Sequence, residues 1–209
     1  MQDQEHRFTA ADLEPSPEER RAARRALVDR VAASAAVLAA GVWIGGMIAL
    51  GACAAPFVFR LTPAPFSGEA MGAAFARFDQ IALGAAVILL GAEVARTWAA
   101  GRHGRSPAAR ARRLLAMLLA GAAAYMGLAL TPGINELHRA GARRGVGEQG
   151  AQLEALHRRA ELIGRGETLL GAAVVVLHIF TLGARRPEDD EDDDEEAFAP
   201  LPPGPRGDA

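Results

Sequence analysis

Four long, predominantly apolar stretches divide the chain, and polar segments rich in Arg, Glu and Gly separate them. They lie at about residues 31–57, 79–99, 114–134 and 165–184. Each provides roughly the 20 residues that a helix needs to cross the hydrocarbon core of a bilayer, which is about 30 Å thick. The pattern predicts an all-α integral membrane protein, a four-helix transmembrane bundle with short interfacial helices and disordered polar tails.

The polar ends of the chain set its domain boundaries. We expect a disordered segment at residues 1–15, a transmembrane domain at 16–186 and an acidic, proline-rich disordered tail at 187–209. Segments with many charges and few apolar residues bury too little surface to offset the entropy lost on folding. Residues 16–19 read Ser-Pro-Glu-Glu, a capping-box pattern that predicts the start of the first helix.

The segments between the spans also carry helical patterns. Apolar residues recur at helical spacing in 71–78 and in 149–163, which predicts two short amphipathic helices at the outer interface. Proline removes a backbone donor and clashes with the preceding turn of a helix. We therefore expect Pro56 to end or kink the first span, and the Thr-Pro-Gly sequence at 131–133 to end the third.

The arginines predict the orientation, because short cytoplasmic loops are enriched in positive charge. Every basic residue is Arg, and arginines cluster before the first span, between the second and third, and after the fourth. Both termini are therefore expected in the cytoplasm, although the last outer loop also holds six arginines. The Arg, Ala and Gly bias is typical of a GC-rich genome and indicates a bacterial inner membrane. The arginines that decide the orientation are Arg20, Arg21, Arg24, Arg25, Arg30, Arg102, Arg105, Arg110, Arg112, Arg113, Arg185 and Arg186.

The composition excludes several kinds of site. Cys53 is the only cysteine, so an intrachain disulfide and a cysteine-rich metal site are both excluded. The sequence contains no phosphate-binding glycine loop, nucleophile elbow or catalytic carboxylate pair, so we predict no catalytic residue and favour a protein that is not an enzyme. The sequence identifies neither a cofactor nor a metal. Segregated charge indicates membrane topology rather than nucleic-acid binding. The expected partners are the lipid bilayer, a second copy of the chain and a cytoplasmic protein bound to the acidic tail.

Small residues on the first span predict a close helix contact. Gly41, Gly45 and Ala49 recur every four residues, and such a flat face lets another helix approach closely. On this interpretation Ala39 faces lipid.

Polar residues in or near the spans are the functional candidates, because ionisable groups are costly in a membrane. If the third span ends at 131–133, Asn135 and Glu167 lie at similar depth. With glycines at 164 and 166 as flexible points, we expect the helix that holds His157 to fold over the outer end of the bundle, next to Asn135 and Glu167. His178 extends this polar cluster toward the interior of the bundle. The alternative is that His178 is a neutral ring satisfied by a neighbouring helix.

Two further polar pairs have alternative interpretations. Glu93 and Arg96 lie one turn apart, where they are expected to pair while the Arg extends to the headgroups. His138 and His157 in the last outer loop, with nearby carboxylates, are suitable ligands for zinc or copper, but their spacing is not diagnostic of a metal. A solvated polar loop is the other interpretation.

Short motifs stand in a fixed order along the chain: Trp43, Gly45 and Gly46 in the first span, Pro56 and Phe59 near its end, Pro132 at the end of the third span and His157 in the last outer loop. The chain resembles the bacterial domain of unknown function 4149 membrane family and is similar to the transmembrane protein 205 group, with a weaker likeness to copper-resistance D domains. The resemblance implies a four-helix inner-membrane bundle of uncharacterised activity, with metal or small-solute handling as a hypothesis. Haem-linked membrane oxidases place a His in an early span, and the first span here has none. The residues that carry the likeness are Trp43, Gly45, Gly46, Pro56, Phe59, Phe75, Pro132, Leu156 and His157.

Three hypotheses from different classes follow. The first is transport or handling of a small solute or metal ion, indicated by the polar groups in the spans. The second is a membrane scaffold or assembly factor that acts through the acidic run at 188–196. The third is a haem-dependent membrane enzyme that uses His178 together with a histidine of the outer loop.

Overall fold

Helices account for nearly all of the ordered backbone in the computed structural model, which describes residues 14–63, 66–101 and 106–183. Within these ranges there is no strand. The acidic tail, its proposed partner site and most of the predicted N-terminal segment lie outside the described residues. The elements are α1 (Pro17–Ile48), a π-helical segment (Ala49–Ala54), α2 (Ala55–Leu61), α3 (Phe66–Ala100), α4 (Pro107–Tyr125), a second π-helical segment (Met126–Leu130), α5 (Thr131–Arg139) and α6 (Gly147–Gly183).

These elements form four continuous rods that are long and apolar enough to cross a membrane. The rods contain 45, 35, 33 and 36 residues, whereas about 20 suffice to span a bilayer. The predicted all-α, four-helix membrane fold is confirmed. The predicted helix start is also confirmed, because Ser16 Oγ accepts a hydrogen bond from the backbone N–H of Glu19, and the Glu19 carboxylate accepts one from the backbone N–H of Ser16.

The two amphipathic segments are helical, but they are not separate elements. Residues 71–78 belong to α3, and residues 149–163 belong to α6. The glycines at 164 and 166 do not act as flexible points, because α6 continues through both. A methyl group at Gly164 would meet Met47 Cε at 2.8 Å, so this glycine allows α6 to pack closely on the first rod.

The prediction that proline ends the first and third spans is wrong. Both rods continue past it, to Leu61 and to Arg139. In each rod a π-helical segment finishes two residues before the proline, at Ala54 or at Leu130. The wider π turn moves the preceding carbonyls away from the proline ring, so the helix absorbs a residue that would otherwise break it.

The rods pack as an antiparallel four-helix bundle around small side chains. α1 packs against α3 and α6, and α4 packs against the same two helices from the other side. The core consists mostly of alanine, which lets the backbones approach closely in the absence of a strong hydrophobic driving force within lipid. We call the end at which α1 begins the N-side and the other end the loop side. The core includes Ala32, Ala36, Ala39, Ala82, Ala85, Ala86, Leu89, Ala116, Leu119, Ala123 and Val174.

Gly46, rather than Gly45, makes the close contact of the first span within the chain. A methyl group at Gly46 would overlap the ring of Phe78 on α3, whereas Gly41 and Gly45 have open space around them. The whole predicted face, Ala49 included, is exposed, and Ala39 is buried instead of facing lipid. The assignment of that face to a contact inside the bundle is therefore wrong.

Candidate functional site: buried polar layers

Six polar residues form a buried cluster at the N-side, which we call the ionic layer: Asp29, Glu93, Arg96, Arg112, His178 and Thr181. Arg96 is its first branch point. Its Nε donates to Asp29 Oδ1 at 3.0 Å, and its Nη1 lies 2.8 Å from His178 Nδ1. A guanidinium group has only donors, so Nδ1 must accept and the proton of the neutral ring is on Nε2. The contact therefore fixes the tautomer of His178.

Arg112 is the second branch point of the ionic layer. Its Nε donates to Glu93 Oε1 at 2.6 Å, and its Nη1 donates to Thr181 Oγ1 at 2.8 Å. His178 Nε2 lies 3.0 Å from the same Glu93 oxygen, but its N–H is not aligned with that oxygen for a hydrogen bond. The ionic layer thus joins all four rods, and two arginines balance two carboxylates.

The ionic layer is almost free of water. Its four charged side chains are each 5% exposed or less. The expected pairing of Glu93 with Arg96 and the extension of Arg96 to the headgroups are both wrong, because each side chain turns inward to another helix. Burial of unpaired charge in lipid would be far more costly than formation of these interhelical pairs.

A second buried group lies nearer the loop side, and we call it the carboxyl layer: Trp43, Asp79, Thr131 and Glu167. Asp79 and Glu167 interact electrostatically, the Thr131 hydroxyl lies beside Asp79, and the Trp43 indole lies beside Glu167. The indole N–H is not aligned with an oxygen. Three buried polar atoms therefore have no hydrogen-bond partner: Trp43 Nε1, Asp79 Oδ2 and Glu167 Oε1.

The third rod approaches the carboxyl layer closely at its π-helical segment. A methyl group at Gly127 would lie 3.3 Å from Asp79 Cβ and 3.4 Å from Leu83 Cδ1. The glycine thus lets the backbone of this rod lie directly against the Asp79 side chain. π-Helical turns occur often at functional sites, where they re-aim neighbouring groups.

An apolar layer of Ala36, Leu89, Leu119 and Val174 separates the two polar layers. Each of these side chains is at most 1% exposed. Along α1, 14 residues separate Asp29 from Trp43, which corresponds to about 21 Å. The bundle thus has polar groups at two depths and a closed apolar barrier between them.

Two histidines meet on the loop side, beyond the carboxyl layer, and we call them the histidine pair. His138 on α5 and His157 on α6 have their Nε2 atoms 3.4 Å apart. Burial lowers the pKa of His157, and the positive charges of Arg144 and His138 add to this effect. Arg144 donates two hydrogen bonds to Glu154, and these hold the pKa of that exposed carboxyl below its usual value.

The structure does not bring the predicted cluster together. His178 belongs to the ionic layer, Glu167 to the carboxyl layer and His157 to the histidine pair. Asn135 lies on α5 with its Oδ1 against Gly72 of α3. Because α6 is straight, ten residues, or about 15 Å, separate His157 from Glu167. The functional role of each residue stays a prediction.

Sequence reasoning missed Asp29, Asp79 and Arg112 as site residues. Helical spacing contains the signal that identifies them. Asp29 lies three and seven residues before the buried Ala32 and Ala36, and Arg112 lies four and seven before the buried Ala116 and Leu119. A charge on the same stripe as the core alanines faces the bundle interior.

Comparison with known proteins identifies a protein family that matches part of the chain. Residues 38–143 match the family described as domain of unknown function (DUF4149). The chain belongs to this family. No curated protein and no solved structure matches it. The likeness to the transmembrane protein 205 group and to copper-resistance D domains remains a resemblance of short motifs.

The DUF4149 match begins within the first rod, covers the second and third rods and ends before α6. It includes Trp43, Asp79 and Thr131 of the carboxyl layer, whereas Glu167 lies beyond it. Among the motif residues, Trp43 is buried and Gly46 contacts Phe78, while Pro56 and Phe59 are exposed on the outer surface of the first rod. Trp43 and Gly46 of this DUF4149 chain therefore pack inside the helix bundle.

Proposed function

We propose that the protein handles a small ion, the proton, and moves it across the membrane by way of the carboxyl layer. The observation that carries this proposal is the set of three unpartnered buried atoms on Trp43, Asp79 and Glu167. Unsatisfied polar atoms in a membrane interior are costly, and ionisable groups there mark ion and proton pathways. A bundle kept only for its stability has no reason to retain them.

A proton is the cation that this site suits best. In the described part of the chain the neighbours of the two carboxyls are an indole, a hydroxyl and each other, without a cation. Two carboxylates in a medium of low dielectric repel strongly, and a proton bound to one of them relieves that repulsion. The carboxyl atoms are enclosed, and a proton needs no additional space.

The two polar layers and the barrier between them fit a gated pathway. A proton at Glu167 or Asp79 removes charge from one side of the apolar layer, and His178 and Glu93 provide groups that accept and donate protons on the other side. The side chains of the apolar layer have to part for transfer between the layers. Movement of a packed helix is the usual structural basis for such a step.

Proton flux through the reconstituted protein tests the proposal. The full chain is purified in detergent and placed in liposomes that contain a pH-sensitive dye, with valinomycin and K⁺ present to prevent charge build-up. We expect wild-type vesicles to respond to an external pH step faster than empty vesicles. Asp79→Asn and Glu167→Gln each remove a proton-carrying group, so each should slow the flux on the order of tenfold or more.

Glu148→Gln is the matched control, because Glu148 is an exposed residue in the first turn of α6. It should leave the flux unchanged. Wild-type flux equal to that of empty vesicles would contradict the proposal, and so would equal rates for all variants that insert and fold.

The orientation completes the proposal: an inner-membrane protein with both termini in the cytoplasm. It is supported by the arginine clusters before the first span and between the second and third. Reporter fusions after Arg60, Arg105, Gly147 and Arg186 should give outside, inside, outside and inside. An outside signal at Arg105 would refute this topology.

The other two hypotheses have less support. The scaffold hypothesis depends on the acidic tail, which lies outside the described residues. The haem hypothesis needs His178 and a loop histidine on one iron. His178 already contacts Arg96 and Glu93 with its two ring nitrogens, and 21 residues, or about 31 Å, separate it from His157 along α6. These histidines cannot ligate one haem together.

A further inference from the structure

We propose that His138 and His157 form a binding site for a divalent transition-metal ion, in the first place Zn²⁺, ligated by their two Nε2 atoms. The site lies on the loop side of the bundle and is separate from the carboxyl layer. The proposal does not depend on proton transport.

The distance between the two nitrogens is the first argument. Two ligands of a tetrahedral zinc ion, each about 2.0–2.1 Å from the metal, lie about 3.3–3.4 Å from each other. The Nε2 atoms of the histidine pair are 3.4 Å apart. A neutral hydrogen bond between ring nitrogens is normally shorter, at about 2.7–3.2 Å. The pair meets hydrogen-bond geometry without a metal, and its two nitrogens already have the spacing of a tetrahedral edge.

The fold holds this spacing. α5 and α6 are antiparallel and joined by a short turn, and Gly141 has a φ of 78° where α5 ends. Such a left-handed residue is typical of a helix C-terminus and reverses the chain tightly. A methyl group at Gly133 of α5 would lie 3.5 Å from Cδ1 of Leu156, the residue before His157, so the two helices lie close together here. The two ligands are thus presented by packed helices rather than by a loose loop.

The surroundings suit a metal that exchanges with solvent. His138 is exposed and His157 is half-buried, so an ion reaches the site from the aqueous phase. Arg144, one of the arginines near the pair, is paired with Glu154, which reduces its repulsion of a metal.

The remaining coordination positions are open. In the part of the chain that the structure describes, no group of three or more His, Cys, Asp and Glu side chains is placed to hold a metal. Glu161 is one turn from His157 on the same helix, and its contact with Arg165 is weak, at 3.9 Å. Water or Glu161 would complete the coordination. Structural zinc sites have four protein ligands, and this site has two. The site is therefore suited to reversible metal binding rather than to a permanent structural zinc.

A metal titration tests the site. The full chain is purified in detergent without a polyhistidine tag, and Zn²⁺ is titrated in competition with a chromogenic chelator. We expect one Zn²⁺ per chain, and a loss of affinity of at least about tenfold for His138→Gln and for His157→Gln. His6→Gln and His103→Gln remove histidines elsewhere in the chain and should bind like wild type. Asp79→Asn should also bind like wild type, which separates this site from the proton proposal.

Cobalt provides a readout of geometry. Co²⁺ added to wild type should give the intense visible absorption of a four-coordinate ion, and both variants of the histidine pair should lose it. Size-exclusion elution confirms that the variants remain folded. Unchanged zinc affinity in both variants would overturn the proposal, and so would binding of Cu²⁺ without Zn²⁺, because square-planar copper prefers nitrogens about 2.9 Å apart.

Discussion

Glu93→Leu is expected to lower the melting temperature of the detergent-purified protein on the order of 10 °C. The change leaves Arg112 buried without its carboxylate, and it removes the negative neighbour of His178. Breaking a buried ion pair by removing one partner costs about 3–5 kcal/mol, because the other charge stays desolvated. In a chain of this size each kcal/mol shifts the melting temperature by about 2–4 °C.

Two further variants make this test specific. Arg110→Leu removes an exposed arginine from the same helix and should shift the melting temperature by no more than about 2 °C. The double variant Glu93→Leu with Arg112→Leu removes both charges, so it should recover much of the lost stability. The double variant is compared with Glu93→Leu and Arg112→Leu alone. A loss of melting temperature equal to the sum of the two single losses would show that Glu93 and Arg112 act independently.

Gly46→Leu is expected to cost about 1–3 kcal/mol or more, while Gly45→Leu leaves stability nearly unchanged. Gly46 lies against the Phe78 ring, and Gly45 has open space. A leucine at 46 forces α1 and α3 apart, which also disturbs the neighbouring carboxyl layer at Asp79. Thermal unfolding in detergent measures both variants under identical conditions.

Phe78→Ala provides the control for this contact. If the clash with the ring is the cause, Gly46→Leu should be far less destabilising in a chain that already carries Phe78→Ala. Equal losses for Gly45→Leu and Gly46→Leu would mean that the first span makes no specific contact at either position.

The spans were predictable because long apolar runs have few alternative structures. The pairing of buried charges was not, because it depends on which helix faces meet. Arg96 meets Asp29 from 67 positions earlier in the chain, and its contact with His178 is 82 positions away. Local reasoning paired Arg96 with Glu93 because only neighbours along one helix are visible in a sequence.

The wrong predictions about the glycine face of the first span and about the two prolines have related causes. Small residues occur on several faces of the first rod, and the sequence does not say which face another helix covers. Gly46 differs from Gly45 by one residue, or about 100° around the helix. Proline was expected to end the first and third rods, but a π-helical turn before Pro56 or Pro132 is a feature of the backbone that residue types do not specify.

The uninterrupted length of α6 makes it a lever. Hydrogen bonds within the ionic layer hold α6 at His178 and Thr181, near the end of α6 that lies on the N-side. These contacts provide a pivot. A tilt of about 5° around that pivot would swing His157 through about 3 Å and Glu167 through about 1.5 Å. Because no joint lies between them, any such tilt would move His157 and Glu167 together, and the longer arm would move farther.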